Sequence, residues 1–177
     1  MLANLHSCHA PLVLSQVEEA GVLSGTAAVW GNENANGVVF ERGAFSDWLG
    51  AGNVPALLWQ HDEREPIGMV TSARETDDGL AFSAALNLAT VRGREAHALL
   101  TQGAIRGVSM GVLATKSGAT ESGARLITAC ELWELSLVTF PAEPGARVAT
   151  VSSITPGALR TRAIRALHAA LTKRGTP

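Results

Sequence analysis

Short apolar segments of strand length, each followed by a turn sequence, recur through most of this chain. Two of the turns contain Asn36-Gly37 and Asp78-Gly79, and these dipeptides strongly favour tight hairpins. The segments that the pattern predicts as strands are 11–17, 21–31, 38–40, 55–60, 66–74, 79–88, 107–112 and 125–140. We therefore expect a mainly β body, and a small closed β-barrel rather than an α/β stack.

Helical patterns are few, which makes the expected fold α+β with a small helical share. Residues 90–102 form the best helix of the body, because Thr90 can cap its start and Gly103 can end it. Residues 43–50 offer one or two helical turns. A C-terminal amphipathic helix is indicated by an apolar stripe at Ile164, Leu167 and Leu171.

The composition allows one domain with a buried core, since 46% of the 177 residues are hydrophobic. No stretch approaches the roughly 20 apolar residues that a membrane span needs, and residues 1–13 lack the basic region of a secretory signal. We expect a soluble intracellular protein with no membrane partner. Cys8 and Cys130 cannot build a disulfide framework, so reduced thiols are expected.

Charge and composition change sharply near residue 143. We predict a barrel domain over 1–143 with a frayed tail at 1–10, a Pro-, Gly-, Ser- and Thr-rich linker over 144–156, and a basic helix over 157–177. Six of the 14 basic residues and no acidic residue follow Glu143, so the rest carries eight basic and 16 acidic side chains, a formal charge of −8. Such a body is a poor general binder of nucleic acid.

Ser109 lies in a predicted strand that has no large side chains beside it on the same face. Residues two apart share a face of a strand, so its neighbours on that face are Gly107 and Gly111, which leave room for a substrate carbonyl. The other face carries Val108, Met110 and Val112 and is predicted to pack in the core. Ser109 is therefore either a nucleophile or an ordinary serine at a bulge or hairpin end.

A serine nucleophile needs a base, and His61 is the best placed of the five histidines. It is predicted to end an apolar strand, on one face with Leu57 and Trp59, ahead of a solvated turn at 62–65. The alternative is a structural histidine bonded to a loop. The other histidines fall in the N-terminal tail or on helices: His6, His9, His97 and His168.

Glu134 lies within the apolar strand Leu132-Trp-Glu-Leu-Ser-Leu-Val138. An unpaired buried carboxylate is costly, so Glu134 either faces solvent on an edge or has a partner, for which a histidine is suited. Glu131, three residues away, falls on the opposite face by strand alternation and is the second choice. Together the three residues describe a Ser-His-acid site.

Metal chemistry is the less favoured reading of the histidines. The run His6-Ser7-Cys8-His9 lacks a fourth ligand at a usable spacing, and His61-Asp62 lacks a second histidine-rich motif. We therefore expect no metal site and no organic cofactor.

Several motifs, in order, closely resemble the HK97-type prohead (procapsid) maturation proteases of tailed phages. They are Gly43-Ala-Phe45, Leu58-Trp-Gln-His-Asp62, Pro66-Ile-Gly68, Ile105-Arg-Gly-Val-Ser-Met-Gly111, Glu134-Leu-Ser-Leu-Val138 and Phe140-Pro-Ala142. The resemblance covers roughly residues 20–150. It implies a serine protease related in fold to the herpesvirus assembly proteases, a small β-barrel with helices around it. It also implies Ser109 as nucleophile, His61 as base and Glu134 as third member, where the herpesvirus enzymes have a second histidine.

The resemblance further implies the substrate and the setting. The substrate would be scaffold protein or the scaffold-like segment of the major capsid protein, cut inside assembling proheads in the bacterial cytoplasm, together with the protease itself. The host element is a phage, a prophage or a gene transfer agent, and self-association is left open. The chemistry would be acyl transfer, with the N–H groups of Met110 and Gly111 facing the oxyanion.

Two alternatives stay open at this stage. A catalytically inactive barrel could bind capsid or scaffold as an assembly factor. The helix predicted over 157–177 is either docked on the barrel or an address that binds scaffold or capsid and is trimmed by the protease.

Overall fold

The computed structural model describes residues 20–154, which form eight strands and two helices. In chain order these are β1 (Ala20–Val29), β2 (Val38–Phe40), α1 (Ser46–Gly50), β3 (Ala56–Trp59), β4 (Asp62–Glu75), β5 (Gly79–Asn87), α2 (Val91–Gln102), β6 (Gly107–Ala119), β7 (Arg125–Val138) and β8 (Arg147–Ile154). Neither helix in this part of the chain is long and apolar enough to cross a membrane. The strand predicted at 11–17, the His6–His9 run, Cys8 and the helix predicted at 157–177 lie outside the described residues and stay predictions.

Seven strands close into a barrel in the order β7-β3-β4-β5-β1-β8-β6, and β6 then pairs with β7. β7 pairs with three other strands of the sheet. One edge of β7 pairs with β6 in antiparallel fashion, and its other edge pairs in parallel with β2 near its start and with β3 near its end. The predicted mainly β fold, a closed barrel with few helices, is confirmed.

The predicted linker over 144–156 is wrong, because β8 occupies most of it and completes the barrel. β8 pairs with β1 from Arg147↔Thr26 to Ile154↔Ala20, and it meets β6 at Gly107. Ser, Thr and Val tolerate an extended backbone well, and Val148 is buried in the core. The barrel therefore continues beyond the predicted end at residue 143.

Alternate side chains of the strands fill the barrel. On β5 the buried set is Leu80, Phe82, Ala84 and Leu86. Strands β1, β3, β4 and β7 contribute further fully buried side chains, namely Leu23, Leu57, Ile67, Leu132, Leu135 and Leu137. α2 begins as predicted, with the Thr90 hydroxyl accepting the Gly93 N–H at 3.0 Å, and ends at Gly103 with a left-handed φ of 76°.

Glu75, at the end of β4, fastens the segment that leads into α1. Its carboxylate accepts the N–H groups of Gly43 and Phe45 at 3.0 and 2.9 Å and the Ser46 hydroxyl at 2.9 Å. Phe45 is fully buried and its ring centroid lies 5.4 Å from that of Phe40. One charged acceptor thus holds the Gly43-Ala-Phe45 motif on the barrel.

We predict that Glu75→Gln lowers the free energy of unfolding by about 1–3 kcal/mol, because an amide cannot accept all three hydrogen bonds. Urea denaturation measures the change. The matched control is Glu63→Gln, the same change at an exposed position of β4. An equal loss in both variants would contradict the role given to Glu75.

Cys130 gives a second test of the core. Burial is the main reason that the pKa of its thiol is raised to about 12, from an ordinary value near 9.0. The folded state therefore keeps the thiol protonated where the unfolded chain loses the proton, so stability is full below pH 9 and falls as pH rises above it. The chain has no tyrosine, so no phenol side chain titrates in the same alkaline pH range.

In a Cys8→Ser background, the free energy of unfolding should fall by about 1–2 kcal/mol between pH 7.5 and pH 10 through Cys130. The same measurement on a Cys8→Ser/Cys130→Ala chain should lose that part of the pH dependence. Identical pH profiles for the two chains would show that Cys130 is not protected in the fold.

Candidate active site

His61 is the second residue of a two-residue turn between β3 and β4. Trp59 pairs with Asp62, and both Gln60 and His61 have positive φ, 52° and 63°. Hairpins with two central residues of positive φ usually contain Asn-Gly, so this turn is unusual in its side chains. The predicted arrangement was wrong here: His61 does not continue the face of Leu57, and residues 62–65 begin β4 rather than form a turn.

The His61 ring and the Glu134 carboxylate form a direct hydrogen bond. Nδ1 lies 2.6 Å from Oε1, with the side chains 46% and 14% exposed. A carboxylate at Nδ1 favours the tautomer that carries its proton there, which leaves Nε2 as the basic nitrogen. The partner predicted for the carboxylate in an apolar strand is therefore present.

Ser109 lies on β6, next to this pair. It pairs directly with Ser136 of β7, and two residues further Gly111 pairs with Glu134. Partners in an antiparallel ladder share a face and place their Cβ atoms about 4.5–5.5 Å apart, so Ser109 is on the outward face that also carries Glu134. Its hydroxyl has no hydrogen-bond partner within residues 20–154.

The two glycines around Ser109 have a different reason from the predicted one. A Cβ added at Gly111 would lie 2.7 Å from Oε1 and 2.8 Å from Cγ of Glu134. A Cβ at Gly107 would lie 2.6 Å from the Val138 carbonyl and 2.8 Å from the Pro141 ring. The lack of a side chain at Gly111 therefore makes room for the Glu134 side chain. The lack of one at Gly107 allows Val138 and Pro141, at and just after the end of β7, to approach β6 closely.

A β-bulge at Trp133 changes the faces of β7. The register passes from Gly111↔Glu134 to Val112↔Leu132 and leaves Trp133 without a partner. Glu131 and Glu134 consequently both face outward, so the predicted opposite faces were wrong. The Trp133 indole donates to a Glu131 oxygen at 2.8 Å, whereas the His61 ring bonds to Glu134.

The N–H groups predicted to face an oxyanion point in different directions. The Val108 N–H donates to the Ala146 carbonyl at 3.0 Å, on the side of β6 away from β7. Backbone groups alternate along an antiparallel strand. The Met110 N–H is thereby directed to the same side as that of Val108, while the Gly111 N–H is directed towards β7.

A cavity of about 120 Å³ lies beside Ser109. Its apolar wall includes Phe40 and Val108, and Asn34 and Glu143 contribute polar groups. This volume is smaller than the roughly 150 Å³ known to admit a benzene ring. It suits one compact side chain.

Asp62, next to His61, has a different partner. The Arg64 side chain, which hydrogen-bonds it at 3.1 Å, holds the pKa of Asp62 below its ordinary value. Within residues 20–154, no three His, Cys, Asp or Glu side chains are grouped closely enough to hold a metal ion.

Ser136 is the site residue that the sequence reasoning missed. It is 1% exposed, accepts the His61 backbone N–H at 3.0 Å and donates to Glu134 Oε2 at 2.7 Å. A signal was available, since Glu134 and Ser136 are polar residues two apart in an apolar strand and so share a face.

Two phage proteins are similar to this chain in sequence. The chain is 32% identical over 145 residues to a capsid polyprotein of Pseudomonas phage PAJU2, and 28% identical over 138 residues to the prohead protease of Enterobacteria phage HK97. These alignments cover 77% and 76% of this chain. The chain spans only 21% and 61% of the two relatives.

Solved structures show the same fold at low identity. The bacteriophage T4 capsid assembly protease matches with a TM-score of 0.52 at 12% identity, over 66% of this chain and 82% of that one. The KSHV protease, solved with a hexapeptide phosphonate inhibitor, matches with a TM-score of 0.52 at 12% identity, over 76% and 65%. The predicted herpesvirus-protease type of barrel is confirmed. Residues 11–158 match the model of the caudovirus prohead serine protease family, and the chain belongs to that family.

Proposed function

We propose that this protein is a serine endopeptidase of prohead maturation, with Ser109 as nucleophile, His61 as general base and Glu134 as the orienting acid. The observation that carries the proposal is the 2.6 Å hydrogen bond from His61 to Glu134, beside an unbonded serine hydroxyl on the same sheet face. Membership of a protease family supports it.

The proposed reaction is acyl transfer. His61 Nε2 takes the hydroxyl proton as Ser109 attacks the scissile carbonyl, and the imidazolium then protonates the leaving amine. Glu134 stabilises the imidazolium through Nδ1–H. The Met110 N–H, directed away from β7, is the proposed oxyanion donor. The Gly111 N–H is directed towards β7 and is not proposed for that role.

The proposed substrates are scaffold protein or the scaffold-like segment of the major capsid protein, and the protease itself. The names of the relatives, a capsid polyprotein and a prohead protease, support this choice. The setting is an assembling prohead in the bacterial cytoplasm, with the capsid protein as partner. The cavity beside Ser109 would receive a compact substrate side chain.

We predict that Ser109→Ala and His61→Ala abolish processing of co-expressed cognate capsid protein, measured by intact mass. Glu134→Gln should leave a slow remnant, because the orienting member of such a site is the most dispensable. Ser117→Ala, an exposed serine of the same strand, should process normally. Normal processing by a folded Ser109→Ala variant would exclude the serine mechanism and favour an inactive capsid-binding barrel.

Gly111→Ala should slow the enzyme about 10- to 100-fold, because the new methyl group displaces the Glu134 carboxylate from His61. The rate of Ser109 labelling by a fluorophosphonate measures this directly. Gly118→Ala is the matched control, since a Cβ there meets nothing within 4 Å on the same strand. Equal labelling of the two variants would contradict the spacing role of Gly111.

A further inference from the structure

Among the buried residues of 20–154, Ser136 is the one that is polar. Ser136 lies on the same face of β7 as Glu134, opposite the face that packs in the barrel. Its hydroxyl lies between the backbone of one proposed catalytic residue and the side chain of another: it accepts from the His61 N–H at 3.0 Å and donates to Glu134 Oε2 at 2.7 Å. A hydroxyl has one proton to donate. That proton is donated to the Glu134 carboxylate, and the oxygen accepts the His61 N–H. The hydroxyl is therefore used both as a donor and as an acceptor.

The turn that carries His61 needs such support. Positive φ is unfavourable at a residue other than glycine and persists where the surroundings hold it. The Gln60 N–H donates to the Leu137 carbonyl at 3.0 Å, and the Gln60 amide donates to the Thr139 hydroxyl at 3.1 Å. Ser136 supplies the matching acceptor for His61. The turn is thus held from β7 at each of its two central residues.

The same hydroxyl fixes the acid. Glu134 has two carboxylate oxygens; Oε1 faces His61 Nδ1, and Oε2 receives the Ser136 proton. Without that donor the carboxyl group could rotate, and the oxygen facing the ring would no longer be specified. Ser136 therefore links the position of the histidine backbone to the orientation of the acid.

We infer that Ser136 is a positioning residue for the proposed protease, holding His61 and Glu134 in the geometry that activates Ser109. The inference rests on the proposed function. Ser136 is not a second nucleophile, because its oxygen is buried and engaged by a backbone N–H rather than by the imidazole ring.

The test uses a fluorophosphonate probe on the full chain, so no knowledge of the cleavage site is needed. In the labelling step a bond forms between Ser109 Oγ and phosphorus, the phosphorus–fluorine bond breaks, and His61 takes the hydroxyl proton. Ser136→Ala and Ser136→Cys should both label about 10- to 100-fold more slowly. Cysteine fills nearly the same space but hydrogen-bonds weakly.

A second readout separates positioning from general destabilisation. The proton of the His61–Glu134 hydrogen bond should give a downfield ¹H NMR signal that is present in wild type and lost or broadened in both Ser136 variants, at temperatures where circular dichroism shows them folded. Thr120→Ala is the matched control, because it removes a hydroxyl that accepts the Ala124 N–H at the far end of the same two strands. It should keep both the signal and the labelling rate.

The outcomes separate the role of Ser136 from the proposed function itself. A wild-type chain that labels at Ser109, with Ser136 variants that keep the wild-type rate and the downfield signal, overturns the role of Ser136 and leaves the proposed function standing. A wild-type chain that neither labels at Ser109 nor processes capsid protein overturns the proposed function itself. Slow labelling by Thr120→Ala as well would assign the effect to loss of stability and overturn the positioning role.

Discussion

The hydrogen bonds from β7 to the turn at Gln60 and His61 are the constraint on which the rest of the site depends. β7 supplies the acceptors that hold both residues of this turn in a left-handed backbone, and it also carries Glu134. Its other edge pairs with β6 and so sets the position of Ser109. One strand thereby fixes all three proposed catalytic groups, and a shift of its register by one residue would turn Glu134 into the core.

Most of the barrel could be predicted because its signals are local. Asn-Gly and Asp-Gly turns, alternating apolar residues and the caps of α2 at Thr90 and Gly103 depend on neighbours in sequence. β8 could not be found in this way, because its Ser- and Thr-rich sequence resembles a linker and becomes a strand through pairing with β1, more than a hundred residues away. Closure of the barrel is a tertiary property, and composition does not report it.

The candidate site could likewise be predicted only in part from the sequence. Chemical reasoning selected Ser109, His61 and Glu134, since a lone serine, a histidine at a strand end and a carboxylate in an apolar strand each need an explanation. It failed where backbone irregularity decides the outcome. The bulge at Trp133 overrides strand alternation, and the side chain of Glu134, rather than a substrate, explains why residue 111 is glycine. Such features arise from packing between strands.

The pairing of Ala20 with Ile154 has a topological consequence. The described barrel begins and ends on adjacent antiparallel strands, so the chain enters and leaves it at one point of the surface. A body of this kind can be inserted within a longer polypeptide without separating the segments on either side or pulling on the sheet between them.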